Sequence, residues 1–309
     1  MIALYVHDLR TESFDRAHAI AARLGTVTLV SAHPPRMGWS TDWRMLPDST
    51  PETWAAWLRS NTPEIVIVDG PVSHAQPVAE LGSTLVMVAS PGDGERGSAY
   101  ASAAAILAPW AAESSEWPAV WAERTIHLGA IGWRADQEAQ RLEDFLVGMS
   151  RSARNHCLAL WPTGGGPGPR ERHAIGIETT GWRWTHAPDR DLVERGPIWS
   201  ALMRAEVAVC APTPMTIAAL ARFGVPAVLA VPERPSPAVA FLADAAARTA
   251  PVVVTQPWPQ PEDWAGLLDE ARALDGAAWS AWSSGAGLTE LSGLLAGGAA
   301  ATAAVLAQA

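Results

Sequence analysis

The chain has 309 residues, 49% of them apolar, which is enough to fill two α/β cores rather than one. Its formal net charge is −10 and it contains no lysine, so no basic stripe exists to displace counterions from a nucleic acid, and nucleic-acid binding is not expected. Cys157 and Cys210 each lie in an apolar, strand-like run, which fits reduced core thiols of a cytoplasmic protein better than a disulfide or a metal pair.

Met1 leads straight into a first strand, Ile2 to Val6, with no charged n-region or cleavage site, so no secretory signal is expected. The periodicity of Phe14, Ala17, Ile20, Ala21 and Leu24 predicts a helix over 11–24, stopped by Gly25. A strand at 27–30 follows. The stretch 32–48, with Pro34, Pro35, Trp39 and Trp43, reads as a long loop. Next come a short helix at 51–59 and Ile65 to Val68, a β-branched run with the continuous apolarity of a buried parallel strand. Asp69 and Gly70 stand at its carboxyl end. Further strands are read at 85–89, near Ile106 and over 125–134, and a helix at 138–149. This alternation implies a parallel, doubly wound sheet ending near residue 134.

The rhythm then restarts: a strand from His156 to Trp161, a Gly-rich turn, a loop holding Trp182 and Trp184, and a helix near 197–204. Val207 to Pro232 carries the clearest unit. An apolar run ends at Cys210, Pro212 and Pro214 break it, helix-period residues follow to Gly224, and a second apolar run, 227–231, lies between prolines. That is a βαβ unit, and the start of its helix turns backbone N–H groups and partial positive charge towards any phosphate. A helix over 238–248, a strand at 252–254 and a helix at 262–274 complete the half. The uncharged run 291–307 is rich in Gly and Ala, and a packed or frayed terminal helix explains it better than a membrane span. Peripheral membrane contact stays open. The expected fold class is α/β, with two Rossmann-like domains facing across a cleft: residues 1–134 and 135–309, the terminal helices free to cross back to the first.

Thr216-Ile217-Ala218-Ala219-Leu220-Ala221-Arg222-Phe223-Gly224-Val225-Pro226-Ala227 resembles the T-x-x-E-x-x-x-x-G-x-P-A element of GT-B nucleotide-sugar glycosyltransferases, in the branch (family 28) holding the N-acetylglucosaminyltransferase of peptidoglycan synthesis. Leu128 to Arg134 is similar to that family's inter-domain linker, and Thr163-Gly164-Gly165-Gly166 stands where the family has a Gly-rich turn. The chain departs from the pattern at Ala219, where the family places the acidic residue that holds the donor ribose. It also carries Thr213-Pro214 in place of a Gly-rich turn, Arg234 to Val239 in place of a Q-x-x-N-A signature, and His7 to Glu12 in place of a G-x-G-G-H loop.

The resemblance implies an acceptor side in residues 1–134 and a nucleotide-sugar donor side in 135–309. The function it implies is a metal-independent, inverting transfer of a sugar from a nucleotide-diphosphate donor to a hydroxyl acceptor, without a cofactor. Such a transfer needs a base for the acceptor hydroxyl, and His7, Asp8, Glu12, Asp69 and Asp93, each after a strand, compete for that single role. Donor contacts are expected from Thr163, Gly164, Gly165, Gly166, Thr213, Met215 and Thr216, with Trp184 and His186 meeting the base. Thr213 and Thr216 also read as helix caps. No Asp-x-Asp pair suited to a metal-diphosphate is present. Hydrolysis of a nucleotide sugar is a related reading. A GT-B-like binding protein or protein partner without transfer chemistry is the alternative from another class.

Overall fold

The computed structural model describes residues 1–8, 12–34, 42–91, 97–114, 119–131, 155–161, 166–189, 197–256, 258–283 and 285–296. They form two compact units, one of residues 1–112, 116–134 and 284–309, the other of 113–115 and 135–283.

In the first unit, β1 (Ile2–Val6), α1 (Glu12–Leu24), β2 (Val27–Ser31), β3 (Trp43–Met45), α2 (Pro51–Asn61), β4 (Ile65–Asp69), α3 (Gln76–Glu80), β5 (Thr84–Val88), α4 (Gly97–Ser102), β6 (Ala105–Ala108), α5 (Ala119–Ala122) and β7 (Thr125–His127) alternate along the chain. The strands make a seven-stranded sheet in the order β3-β2-β1-β4-β5-β6-β7, every pair parallel. Parallel sheets bury both faces, which is why β1 and β4 are apolar without alternation. Leu4 and Val6 of β1 enter one core cluster with Phe14, Ala17, Ile20 and Ala21 of α1. Tyr5 lies against Trp54 of α2 instead.

In the second unit, β8 (His156–Trp161), α6 (Pro169–Glu178), β9 (Arg183–Pro188), α7 (Pro197–Arg204), β10 (Val207–Cys210), α8 (Pro214–Phe223), β11 (Ala227–Ala230), α9 (Pro237–Thr249), β12 (Val252–Thr255), α10 (Trp264–Arg272) and α11 (Ser280–Ser283) build a five-stranded parallel sheet, ordered β12-β11-β10-β8-β9. The two Rossmann-like halves of the sequence reading are therefore both present. No helix among the described residues is long and apolar enough to cross a membrane.

Three local differences from the sequence reading have physical causes. Trp43 lies in β3, a three-residue edge strand too short to show a period. Trp184 and His186 lie in β9, not in a loop. This strand is partly exposed along its length, so it lacks the apolar run of a central strand, and β8 sets its register. Helix α6 went unread because its sequence, PRERHAIGIE, has no apolar stripe. The helix expected at 138–149 lies outside the described residues.

The last described helix, α12 (Ala286–Ala296), belongs with the first unit, where it packs on α1 and β7. Leu291 and Leu295 enter the same core as α1. The approach is closest at Gly287, where a Cβ would overlap the His127 carbonyl and the Leu128 backbone. Gly287→Ala should therefore cost about 1–3 kcal/mol, the range for overpacking. Gly293→Ala, with open space around it, should gain about 0.5–1 kcal/mol from helix propensity alone. Chemical denaturation of the two variants checks both signs.

Candidate functional site

Each sheet has one place where successive strands depart in opposite directions, and in open α/β sheets ligands bind beyond the carboxyl ends of the strands at such a switch point. In the second unit it falls between β8 and β10, and in the first between β1 and β4.

Beyond β8, β10 and β11 lies a cavity of about 350 Å³, lined by Trp161, Gly166, Pro167, Glu171, Ala211, Ala230, Val231, Pro232 and Trp258. Trp161 ends β8. Gly166 has φ +85°, and a Cβ there would come within 2.7 Å of the Trp161 ring, so its backbone lies directly against the indole and the position admits only glycine. Trp258 meets Trp161 at 63° with centroids 5.0 Å apart, and meets Trp264 at the same distance. The first is the edge-to-face arrangement that aromatic quadrupoles prefer, and the second is tilted close to it.

The Trp161 indole N–H donates to His186 Nδ1 at 3.2 Å, and His186 is stacked on Trp184 at 5.7 Å. Burial, and then the Arg172 charge, lower the His186 pKa, so its ring remains a neutral acceptor for Trp161. Trp184 in turn donates to Thr179 Oγ1 at 2.8 Å. His186 and Trp184 thus hold Trp161 in place and do not line the cavity themselves.

Helix α8 begins beside this cavity with a reciprocal capping box. Thr213 Oγ1 accepts from the Thr216 amide at 3.2 Å, and Thr216 Oγ1 accepts from the Thr213 amide at 2.9 Å. Thr216 also donates its hydroxyl to the Ala211 carbonyl at 2.7 Å and is 1% exposed. Its side chain is committed to the cap. Gly224, φ +63°, closes the helix in the left-handed conformation. Ala219 is fully buried within it.

In the first unit, β1 and β4 deliver His7 and Asp69 side by side, the His7 amide bonding the Asp69 carbonyl at 3.0 Å. Gly70 is required next to them, since a Cβ there would stand 2.8 Å from His7 Cβ. Asp69 is 7% exposed and forms a bidentate pair with Arg16 of α1, at 2.8 and 2.7 Å. His7 Nδ1 is 3.2 Å from the Tyr5 hydroxyl. Burial, reinforced by Asp48, pushes the Tyr5 pKa well above the usual phenol value, so the group stays protonated.

Tyr5 stacks on His74 with centroids 4.7 Å apart, and His74 meets His7 edge-on. His74 donates Nε2–H to the Ser49 carbonyl at 2.9 Å and accepts at Nδ1 from Ser73. Burial lowers its pKa, and His7 acts in the same direction. The result is a neutral ring scaffold under His7.

Asp8 follows His7 and is exposed. Asp93, Thr163, Gly164 and Gly165 lie outside the described residues, as does the Glu12 side chain. Among the described residues no group of three or more His, Cys, Asp or Glu is placed to hold a metal ion. The sequence reading missed Trp161, Glu171, Val231, Pro232 and Trp258. The available signal was positional: Trp161 and Val231 close apolar runs.

The two parallel sheets and their helices are the GT-B fold of nucleotide-sugar glycosyltransferases. Among solved structures, Acinetobacter baumannii MurG matches at TM-score 0.63 and 12% identity, covering 95% of this chain and 99% of its own. The glycosyltransferase VinC, in complex with dTDP, matches at 0.62 and 14% identity over 98% and 99%. The glycosyltransferase of kitacinnamycin matches at 0.62 and 13% over 99% and 98%. No family model and no curated sequence matches the chain.

Asp69→Asn removes the negative partner of a largely buried ion pair with Arg16, so about 3 kcal/mol of stability should be lost. Thr216→Val breaks the capping box and should cost about 1–2 kcal/mol. Urea denaturation of each variant checks both; a wild-type midpoint for either would remove the structural role assigned to it.

Proposed function

We propose that the protein is a metal-independent, inverting glycosyltransferase moving a sugar from a nucleotide-diphosphate donor to a hydroxyl acceptor. The observation that carries this is the Trp161–Trp258 cavity at the switch point of the second unit, beside the start of α8, on a GT-B fold. Its lining is apolar apart from Glu171 and offers no cation among the described residues. Such a lining favours an uncharged, flat base and repels a diphosphate. The diphosphate is assigned to the Gly-rich turn, residues 163–166, and the first turn of α8, where Met215 follows the cap. Thr213 and Thr216 act there by shaping the turn. Trp184 and His186 act through Trp161.

The first unit takes the acceptor side in this reading. Of the five base candidates Asp69 is occupied by Arg16, which favours the end of β1. His7 is the proposed base, its Nδ1–H held by the Tyr5 hydroxyl so that Nε2 receives the acceptor proton. The acceptor oxygen attacks the anomeric carbon as its bond to the diphosphate breaks. Helix N–H groups steady the leaving group without a metal. No cofactor enters, and the two buried free thiols suit a reducing cytoplasm.

Ala219 favours a second reading. It is buried where the resembled family has its ribose-holding acid, so a protein that binds a nucleotide or a protein partner without transferring sugar has a specific argument behind it. Titrating nucleotide diphosphates against tryptophan fluorescence and thermal stability separates the outcomes, since a ligand at a hundred times its dissociation constant adds about 2.7 kcal/mol. The transferase reading expects binding, transfer from a matched donor, and loss of about 10²–10⁴-fold in turnover in His7→Gln at unchanged nucleotide affinity. Binding without transfer to any acceptor moves the conclusion to the second reading, and sugar release into water moves it to a hydrolase.

A further inference from the structure

We infer that the cavity of the second unit selects guanine, with Glu171 as the residue that reads the base; this rests on the assignment of that cavity to the nucleotide base. Glu171 stands in the first turn of α6 and is the charged residue among the described lining of an otherwise apolar site. No hydrogen bond or ion pair commits its carboxylate among the described residues. An acid in the first turn of a helix is favoured by the helix dipole alone, but that role does not require it to face a cavity. An ionised carboxylate only accepts hydrogen bonds. The base that fits must therefore turn a donor edge towards it.

The four kinds of base edge differ in this respect. Guanine places N1–H and an N2 amino hydrogen side by side, a pair that matches the two oxygens of a carboxylate in the same bidentate fashion as a guanidinium. Uracil and thymine offer one N–H between two carbonyls, whose oxygens would face the carboxylate. Adenine and cytosine set an amino group beside a ring nitrogen that is itself an acceptor. Only guanine satisfies both oxygens without an opposed acceptor. The remaining walls, Trp161, Pro167, Val231 and Trp258, supply flat or apolar surface, and about 350 Å³ accommodates a purine. The proposed donor is thus a guanosine-diphosphate sugar.

The test is titration of the intact protein with GDP, IDP, UDP, dTDP, ADP and CDP, followed by tryptophan fluorescence and calorimetry, and repeated on Glu171→Gln. GDP should bind at least tenfold more tightly than the other bases. IDP, which lacks the 2-amino group, should bind about tenfold more weakly than GDP, the loss of one charge-assisted bond. In Glu171→Gln the preference for GDP should collapse. If UDP or dTDP binds the wild type as well as GDP does, the guanine assignment is wrong while the nucleotide site stands. A Glu171→Gln variant that keeps the full preference overturns the role of Glu171. If no nucleotide binds at millimolar concentration, the donor-site reading fails and this inference goes with it. The IDP comparison needs no variant, so it decides even if the substitution disturbs folding.

Discussion

Every strand pair in both sheets is parallel, and this single constraint places everything else. A parallel pair needs a crossover, so each strand's carboxyl end meets the connection that starts the next helix, and all these junctions fall along one edge. Side chains far apart in sequence are gathered there: Trp161, Ala211 and Val231 in one unit, His7 and Asp69 in the other. The interiors of the central strands β1, β4, β8 and β10 are apolar. What differs between the two edges is local, set by glycines and caps.

Those local devices are of two kinds. At Gly166 and Gly70 a missing Cβ lets backbone press against a ring, which fixes the ring by contact rather than by hydrogen bonding. At Thr213 and Thr216 hydroxyls bind each other's amides, so the first turn of α8 is ordered before any ligand arrives. Preorganisation of this kind lowers the entropy that a ligand must forfeit on binding. The Tyr5–His7–His74 cluster follows the same logic with aromatic faces, and it holds His7 without a carboxylate partner among the described residues.

The sequence made the architecture legible where its signals were redundant. The helix α8 announced itself through Thr213, Pro214, its apolar period and Gly224 together, and β8 through a six-residue apolar run. Edge elements had no such redundancy, which is why β3 and β9 passed as loops. At the site the difficulty was of another sort. Glu171, between Arg170 and Arg172, looks like any solvated first-turn acid, and only the fold puts it beside Trp161 and Trp258. Asp69 after a strand looked like a free base, while its partner Arg16 lies on a helix more than fifty residues earlier. Pairings at that separation leave no trace in local pattern.

Because α12 completes the core of the first unit, the whole second unit is spelled out between two portions of the first. During synthesis the seven-stranded sheet leaves the ribosome early, yet the face that Leu291 and Leu295 cover stays bare until the whole second unit has been translated. All seven strands of the first unit precede β8, yet its core waits for α12, whereas the second unit, nearly all of it one stretch, can close as soon as it is made. The outer unit matures only after its partner has been made. A chain lacking α12 would present an oily seam along α1 and β7 to chaperones and proteases.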